Sequence, residues 1–483
     1  MALLENALRR LWCAVLLALG TSSSALAQPL PTALSLDNVR IIDAEQDRVS
    51  EPRCLRIENR LIAAISNAGD PHCRRDSQVH DLTGRFVMPG LIDMHAHLTL
   101  GPLELQREGG KAKVIALPDD AIAEHNAQRL IAFGVTTIRN PGGDLAAAAR
   151  YRQKRISGEW IGPESFDAGP VINNVDIEGL SVAVHTPEEM RKTVDDQVAQ
   201  GAHWIKLYTG LSPEMLKAGI DAAHAQGRPV VAHLDAIAWP DALAMGLDGI
   251  VHLMPVSPDL LEERERKAWQ AAARPGTYVF FDWWEHFDPD GPQADRLIAA
   301  FDRHRPVFDA TLVAFHAAFV QDQDSPYKDD TLRYAHPRLR KNWEEFFTFA
   351  IGWQVDDFRR ARAIWPKVQR LAQRIYASQA RVTLGTDMSN PWIAPGISLH
   401  REMILLGEAG VTNARVLQAA TVNAADALGI GDRTGRIQRG YEADLLVLDA
   451  NPLEQLSHAQ AIHSVVVDGR QLLPEELARL KGE

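Results

Sequence analysis

An apolar run closed by two histidines one residue apart constrains this chain most: Val87-Met88-Pro89-Gly90-Leu91-Ile92-Asp93-Met94-His95-Ala96-His97-Leu98. Alternate side chains of a strand project from the same face, so His95 and His97 reach one point beyond the strand end. A rigid element can thereby offer two imidazoles to a single cation. Two ordinary strand-end histidines would read the same way in isolation, so later segments decide.

Four more ligand-type residues close short apolar runs downstream: Lys206 in His203-Trp204-Ile205-Lys206-Leu207-Tyr208, His233 after Pro229-Val230-Val231-Ala232, His252 after Gly249-Ile250-Val251, and Asp387 after Val382-Thr383-Leu384-Gly385-Thr386. Helix-like segments precede these runs, as 188–199 precedes Lys206 and 213–226 precedes His233, which is the pattern of successive βα units. A parallel barrel gathers all strand C-termini on one face, where residues from several strands converge. His95, His97, Lys206, His233, His252 and Asp387 would then surround one point.

At these residues the chain resembles the amidohydrolase superfamily, within it the imidazolonepropionase-like branch that includes metal-dependent Xaa-Pro dipeptidases. The resemblance runs from about Leu36 to Gln471. It also takes in Gly134-Val135-Thr136-Thr137-Ile138-Arg139, Pro395-Gly396-Ile397-Ser398-Leu399-His400-Arg401-Glu402, Ala419-Ala420-Thr421-Val422-Asn423-Ala424-Ala425 and Gly440-Tyr441-Glu442-Ala443-Asp444-Leu445-Leu446-Val447-Leu448-Asp449. It implies an α/β fold: a (β/α)8 TIM-type barrel over residues 89–434, with a small discontinuous β-sandwich domain formed by both chain ends, residues 28–88 and 435–483.

The same resemblance implies two divalent metal ions, with His95, His97 and Asp387 on one, His233 and His252 on the other, and Lys206, carboxylated by carbon dioxide, across both. A free lysine would repel both cations, so the carbamate is required if Lys206 touches metal. Nitrogen and oxygen ligands with open positions suit Zn2+, and Mn2+, Co2+ or Fe2+ also fit. The implied chemistry is attack of a metal-bridged hydroxide on a carbonyl, with Asp387 as the catalytic group that takes up the proton and passes it to the leaving amine.

Arg9 and Arg10, the apolar run 11–19 and Ala25-Leu26-Ala27 read as a signal peptide over residues 1–27, giving a mature chain from Gln28 and a periplasmic or secreted destination. That run is too short to cross a hydrocarbon core of roughly 30 Å comfortably, so no stable membrane insertion is expected after processing. A net charge of -12 excludes the basic footprint of a nucleic-acid binder. Cys54 and Cys73 either pair in an oxidising compartment or stay as buried thiols, and homo-oligomerisation is equally open.

Residues from about 257 to 367 are long for one βα connection and hold Trp269, Trp283, Trp284, Trp343, Trp353 and Trp365, six of the eleven tryptophans. They read either as a lid over the strand ends or as rings that pack helices onto the barrel. Asp309-Ala310-Thr311-Leu312 resembles the family's usual Pro-Thr-Leu, with alanine replacing proline, and that resemblance places the seventh strand over 306–312. Tyr208, two residues beyond Lys206, and Arg139, at the second strand end, are the candidates to bind a substrate carboxylate. Asn140 stands where relatives commonly carry aspartate, and His185, His203, His286 and His400 read as ordinary surface or supporting histidines. The expected function is cleavage of an amide bond in a small carboxylate-bearing substrate, an Xaa-Pro or other dipeptide or an N-acyl amino acid. Two alternatives stand beside it. Imidazolone or cyclic-amide hydrolysis or deamination is disfavoured by Lys206, and a non-catalytic scaffold by the complete ligand set.

Overall fold

The computed structural model describes residues 33–108 and 111–483, so the expected signal peptide lies outside the described residues. Strands from both chain ends join in one eight-stranded sheet. The junction is the antiparallel pairing of Phe86–Pro89 with Leu445–Leu448, in which Met88 faces Leu446. Alternation explains why both faces of this sheet are apolar. Val87, Leu445, Val447 and Val466 enter a cluster with Leu36, Leu55 and Ile57, while Met88, Leu446, Leu448, Val465 and Val467 enter the large cluster that also fills the barrel. The long strand Ala33–Asp43 breaks register between Leu36 and Val39, next to the positive φ of 58° at Asn38, and so bends from one set of partners to another. Cys54, in Arg48–Glu58, is bonded to Cys73 of the helix Pro71–Arg74, with Cα atoms 6.3 Å apart. The pairing that the sequence leaves open is therefore made.

Eight short parallel strands form the barrel: β1 (Leu91–Asp93), β2 (Val135–Asn140), β3 (Glu164–Asp167), β4 (Ile205–Leu207), β5 (Val230–Ala232), β6 (Gly249–Val251), β7 (Val307–Asp309) and β8 (Arg381–Thr383). Regular pairing runs from β1 to β3 and from β4 to β8. Isolated hydrogen bonds, outside the regular ladders, close the two seams. His203 N–H donates to Asp167 O at 2.7 Å between β3 and β4, and Met94 N–H to Leu384 O and Asp387 N–H to His95 O, both at 2.8 Å, join β8 to β1. Capped helices cover the outside: Thr186 accepts from Glu189 N–H to open Pro187–Ala199, and Ser212 from Met215 N–H to open Pro213–Ala225.

The seventh strand is shorter than expected, ending at Asp309. Thr311 takes a positive φ of 47° and Leu312 begins the helix Leu312–Phe319. The buried carboxylate of Glu402 accepts the N–H groups of Leu312 and Val313 at 3.0 and 2.7 Å, satisfying donors that a helix start leaves unpaired. The tryptophan-rich stretch is thus two connections, one on each side of β7. Trp283, Trp284, Trp343 and Trp353 are buried, while Trp269 and Trp365 pack half-buried on the main core, so the rings fasten helices to the barrel. Among the described residues no helix is long and apolar enough to cross a membrane.

Candidate active site

All six expected ligands meet at the C-terminal ends of the strands. Asp93, at the end of β1, accepts from His95 N–H at 3.0 Å and from the Thr386 hydroxyl at 2.7 Å, tying the β1 and β8 ends together. His95 and His97 leave that end on the same side, and their Nε2 atoms lie 3.3 and 3.2 Å from one oxygen of Asp387, Oδ1. His252 Nδ1 lies 4.0 Å from the other oxygen, Oδ2. Donor atoms of His95, His252 and Asp387 all fall within 4.8 Å of one another. His233 follows on from this group, its ring centroid 4.7 Å from that of His252. Lys206 is buried on β4, and its Nζ has no hydrogen-bond partner.

Three of the four imidazoles have a partner at Nδ1. Asp309 accepts from His95 Nδ1 at 2.9 Å, the Gly142 carbonyl accepts from His97 Nδ1 at 2.9 Å, and His252 Nδ1 sits 2.8 Å from the Thr311 hydroxyl. For His95 and His97 these contacts place the proton on Nδ1 and turn the Nε2 lone pair to Asp387. Gly142 must be glycine, since a Cβ there would lie 2.9 Å from Val171 and 3.0 Å from His97. His252 and Asp387 have positive φ values of 66° and 64°, backbone conformations that cost free energy and recur where a side chain must be aimed.

Burial sets the electrostatics. It lowers Lys206 to about 7, against the pull of Asp309 and with the push of Arg139. Burial, with Lys206 adding to it, also lowers His233 to about 3, and it holds His95 and His252 well below the usual histidine range. The site therefore offers neutral imidazoles at His95, His233 and His252 and an amine that is readily deprotonated. Buried polar atoms without partners are rare, and Lys206 Nζ and His233 Nδ1 are both in that state here. That donor set fits divalent metal.

The expected substrate-binding pair divides. Tyr208 stands at the site, half-buried, with its ring centroid 4.5 Å from that of His233. Arg139 does not. Its fully buried side chain turns into the barrel, donates from Nε to Met94 O at 2.8 Å and from Nη2 to Asp309 at 2.6 Å, and lies 4.9 Å from the centroid of the Trp204 ring. Its position on β2 is at the strand end, but the guanidinium is fully buried against an interior carboxylate, with Nη1 left without a partner. Asn140 donates to Asp167, His203 accepts from Asp167 N–H, His286 contacts Glu265, and His400 is buried against the Phe133 carbonyl.

Asp93, Asp309, Thr311 and Gly142 are supporting residues that sequence reasoning misses. Asp309 carried a signal, being a carboxylate at the end of the apolar Val307-Phe308 run. The aromatic ring facing His252 is also unanticipated: it is Phe315, 6.2 Å between centroids, backed by Phe280 and, behind that, Phe349, and not a tryptophan.

A profile described as the amidohydrolase family matches residues 86–252 and 354–472. An uncharacterized protein of Mycobacterium tuberculosis is 27% identical over 193 residues, 37% of this chain, and the chain spans about half (47%) of that relative's length. The imidazolonepropionase of Sphingopyxis alaskensis is 23% identical over 407 residues, covering 81% of this chain and 86% of that protein. Among solved structures, a Xaa-Pro dipeptidase with bound methionine in the active site superposes with a TM-score of 0.63 at 20% identity, over 91% of this chain and all (100%) of that one.

Proposed function

This chain belongs to the amidohydrolase family, hydrolases that act on carbon–nitrogen bonds, and on that premise we propose that it cleaves the amide bond of a small carboxylate-bearing substrate, with Xaa-Pro or other dipeptides ahead of N-acyl amino acids. The observation that carries the reading is the buried, unpartnered Nζ of Lys206 facing a ring of imidazoles and Asp387. As an ammonium it would repel the metals that this ring would bind. As a carbamate it becomes an anionic ligand that two cations can share.

His95, His97 and Asp387 would hold one ion, His233 and His252 the other, and carboxylated Lys206 both, with zinc the first candidate and manganese, cobalt or iron also suited. Bound there, the pair of ions supplies Lewis acidity toward a carbonyl and water made acidic enough to react near neutral pH. The protein's own groups do the rest. Asp387 directs Oδ1 to His95 and His97, leaving Oδ2 to take up a proton and return it to the departing amine. Burial raises the Tyr208 hydroxyl above its ordinary range, so it remains a donor and can hold a substrate carboxylate. Phe315 places an apolar ring on the His252 side.

Support for a dipeptidase comes from the likeness to the Xaa-Pro dipeptidase fold over the whole of that chain. Hydrolysis of an imidazolone ring is the second reading, favoured by the long match to imidazolonepropionase. We further propose export to an oxidising compartment, as the Cys54–Cys73 bond suggests. The deciding experiment is a screen of metal-loaded protein with dipeptides, N-acyl amino acids, their amides and imidazolonepropionate. Turnover of dipeptides with a free carboxylate is expected; turnover of the imidazolone alone would replace the first reading with the second.

A further inference from the structure

We propose that an arginine-lined cavity at the N-terminal end of β7 and β8 binds a small soluble oligophosphate, at a site separate from the candidate metal centre. The cavity has a volume of about 800 Å³, within the range of small-molecule sites. Arg305, Arg370, Arg374, Arg381 and Arg415 line it, and no aspartate or glutamate does. That runs against the composition of the chain, which carries 63 acidic and 51 basic residues.

The location follows from strand direction. Arg381 opens β8, pairs with Val307 and donates its N–H to Pro306 O at 2.9 Å, so Arg305 and Arg381 come from neighbouring strand starts. His252 and Asp387 lie beyond the opposite strand ends. The charges are unevenly balanced. Arg370 pairs with Asp290 at 2.8 Å and Arg374 with Asp295 at 2.5 Å. Among the described residues the Arg415 side chain donates only to the carbonyls of Tyr376 and Ser378, at 3.1 and 3.2 Å, which fixes its guanidinium without neutralising it. Arg305 and Arg381 have no side-chain hydrogen bond or ion pair among the described residues. Asp302 accepts the N–H of the cavity-lining Gln379 at 2.8 Å and keeps its charge, with no ion pair among the described residues. Arg305 and Arg381 are exposed and Arg415 is half-buried, so three guanidiniums without a carboxylate partner among the described residues border one cavity, where a compact anion with several charged oxygens can accept their paired N–H donors. Linked phosphates have that density of charge; a single carboxylate does not.

The test is calorimetric titration of sodium tripolyphosphate, and separately of orthophosphate, into the full-length metal-loaded protein and into Arg305→Gln/Arg381→Gln. Saturable binding is expected for tripolyphosphate, weakened about tenfold or more in the double variant, with orthophosphate much weaker. Any heat from metal withdrawal would be the same in both proteins, so the arginine-dependent part reports the cavity. Arg415→Lys, which keeps the charge but not the fork, should also weaken binding and serves if the double variant does not fold. No saturable heat at millimolar concentrations, or equal binding by wild type and variants, would overturn the proposal. So would a change of oligomeric state in the double variant, which would assign these arginines to a second copy of the chain.

Discussion

Asp309 accepts a hydrogen bond from Nδ1 of His95 at 2.9 Å with one carboxylate oxygen and binds Arg139 with the other. The contact places the His95 proton on Nδ1 and leaves Nε2 free to face Asp387. Groups that orient a ligand in this way typically affect metal affinity or activity by about tenfold to a hundredfold. Asp309→Ala is expected to lose metal affinity by that factor, read by competition with a chelating dye. Unchanged affinity in a folded Asp309→Ala would show that the carboxylate serves only Arg139.

Lys206 yields a sharper expectation. Wild type should hold close to two divalent ions per chain, and Lys206→Ala should lose metal and activity together, with partial recovery in added short carboxylic acids that can take the carbamate's place. Elemental analysis and a ¹³C-bicarbonate spectrum of the wild type check both halves. Normal metal loading in Lys206→Ala would remove the lysine from the site.

The covalent link from Cys54 to Cys73 closes a loop with a sequence separation of 19. In the chain-entropy model such a crosslink is worth about 3 kcal/mol, so Cys54→Ser/Cys73→Ser should unfold at clearly lower denaturant. If the chain is exported as proposed, protein from a Gram-negative host should begin at Gln28 and resist thiol labelling until reduced. An uncut amino terminus with free thiols would contradict export.

The ligand set is legible in the sequence because each ligand sits at the end of a short apolar run, and a parallel barrel sends all such ends to one place. What holds the ligands is not. Asp309 meets His95 across 214 positions, a neighbour relation created only when the barrel closes. Arg139 shows the limit from the other side: its strand-end position is readable, but whether its guanidinium faces a ligand or an interior carboxylate depends on Asp309. The end of β7 has the same character, since Glu402, from a distant helix, caps the helix that replaces the strand's expected last residues. The disulfide was undecidable for a similar reason, as a Cα separation of 6.3 Å is a property of the folded sheet.

Away from the site, Asp444 sets a pH dependence. Burial, with Glu442 adding to it, raises its carboxyl to about 7 from 3.8. Between those values the unfolded chain releases a proton that the folded chain keeps, so stability present at low pH is lost as pH rises through about 7, by on the order of a few kcal/mol. Asp444→Asn retains an acceptor for Asp468 N–H and removes the titration. The wild-type melting temperature should therefore fall more steeply than the variant's between pH 4 and 7. Parallel slopes in calorimetry would sink the assignment.

Tyr208 and Arg139 make opposite predictions, which separates substrate binding from support. Tyr208 borders the ligand ring with an un-ionised hydroxyl, so Tyr208→Phe should lower kcat/KM for a carboxylate substrate by about tenfold to a hundredfold and leave the corresponding amide nearly unchanged. Arg139 donates to Asp309 and Met94 O inside the barrel, with Nη1 unpartnered. Arg139→Met would leave Asp309 as a buried charge without its partner, a loss of about 3–5 kcal/mol, so it should lower the melting temperature and reduce acid and amide turnover alike. Measuring both substrates and the unfolding transition for both variants decides the matter. An acid-selective loss in a stably folded Arg139→Met would return the arginine to the substrate, and equal losses on acid and amide in Tyr208→Phe would remove the tyrosine from it.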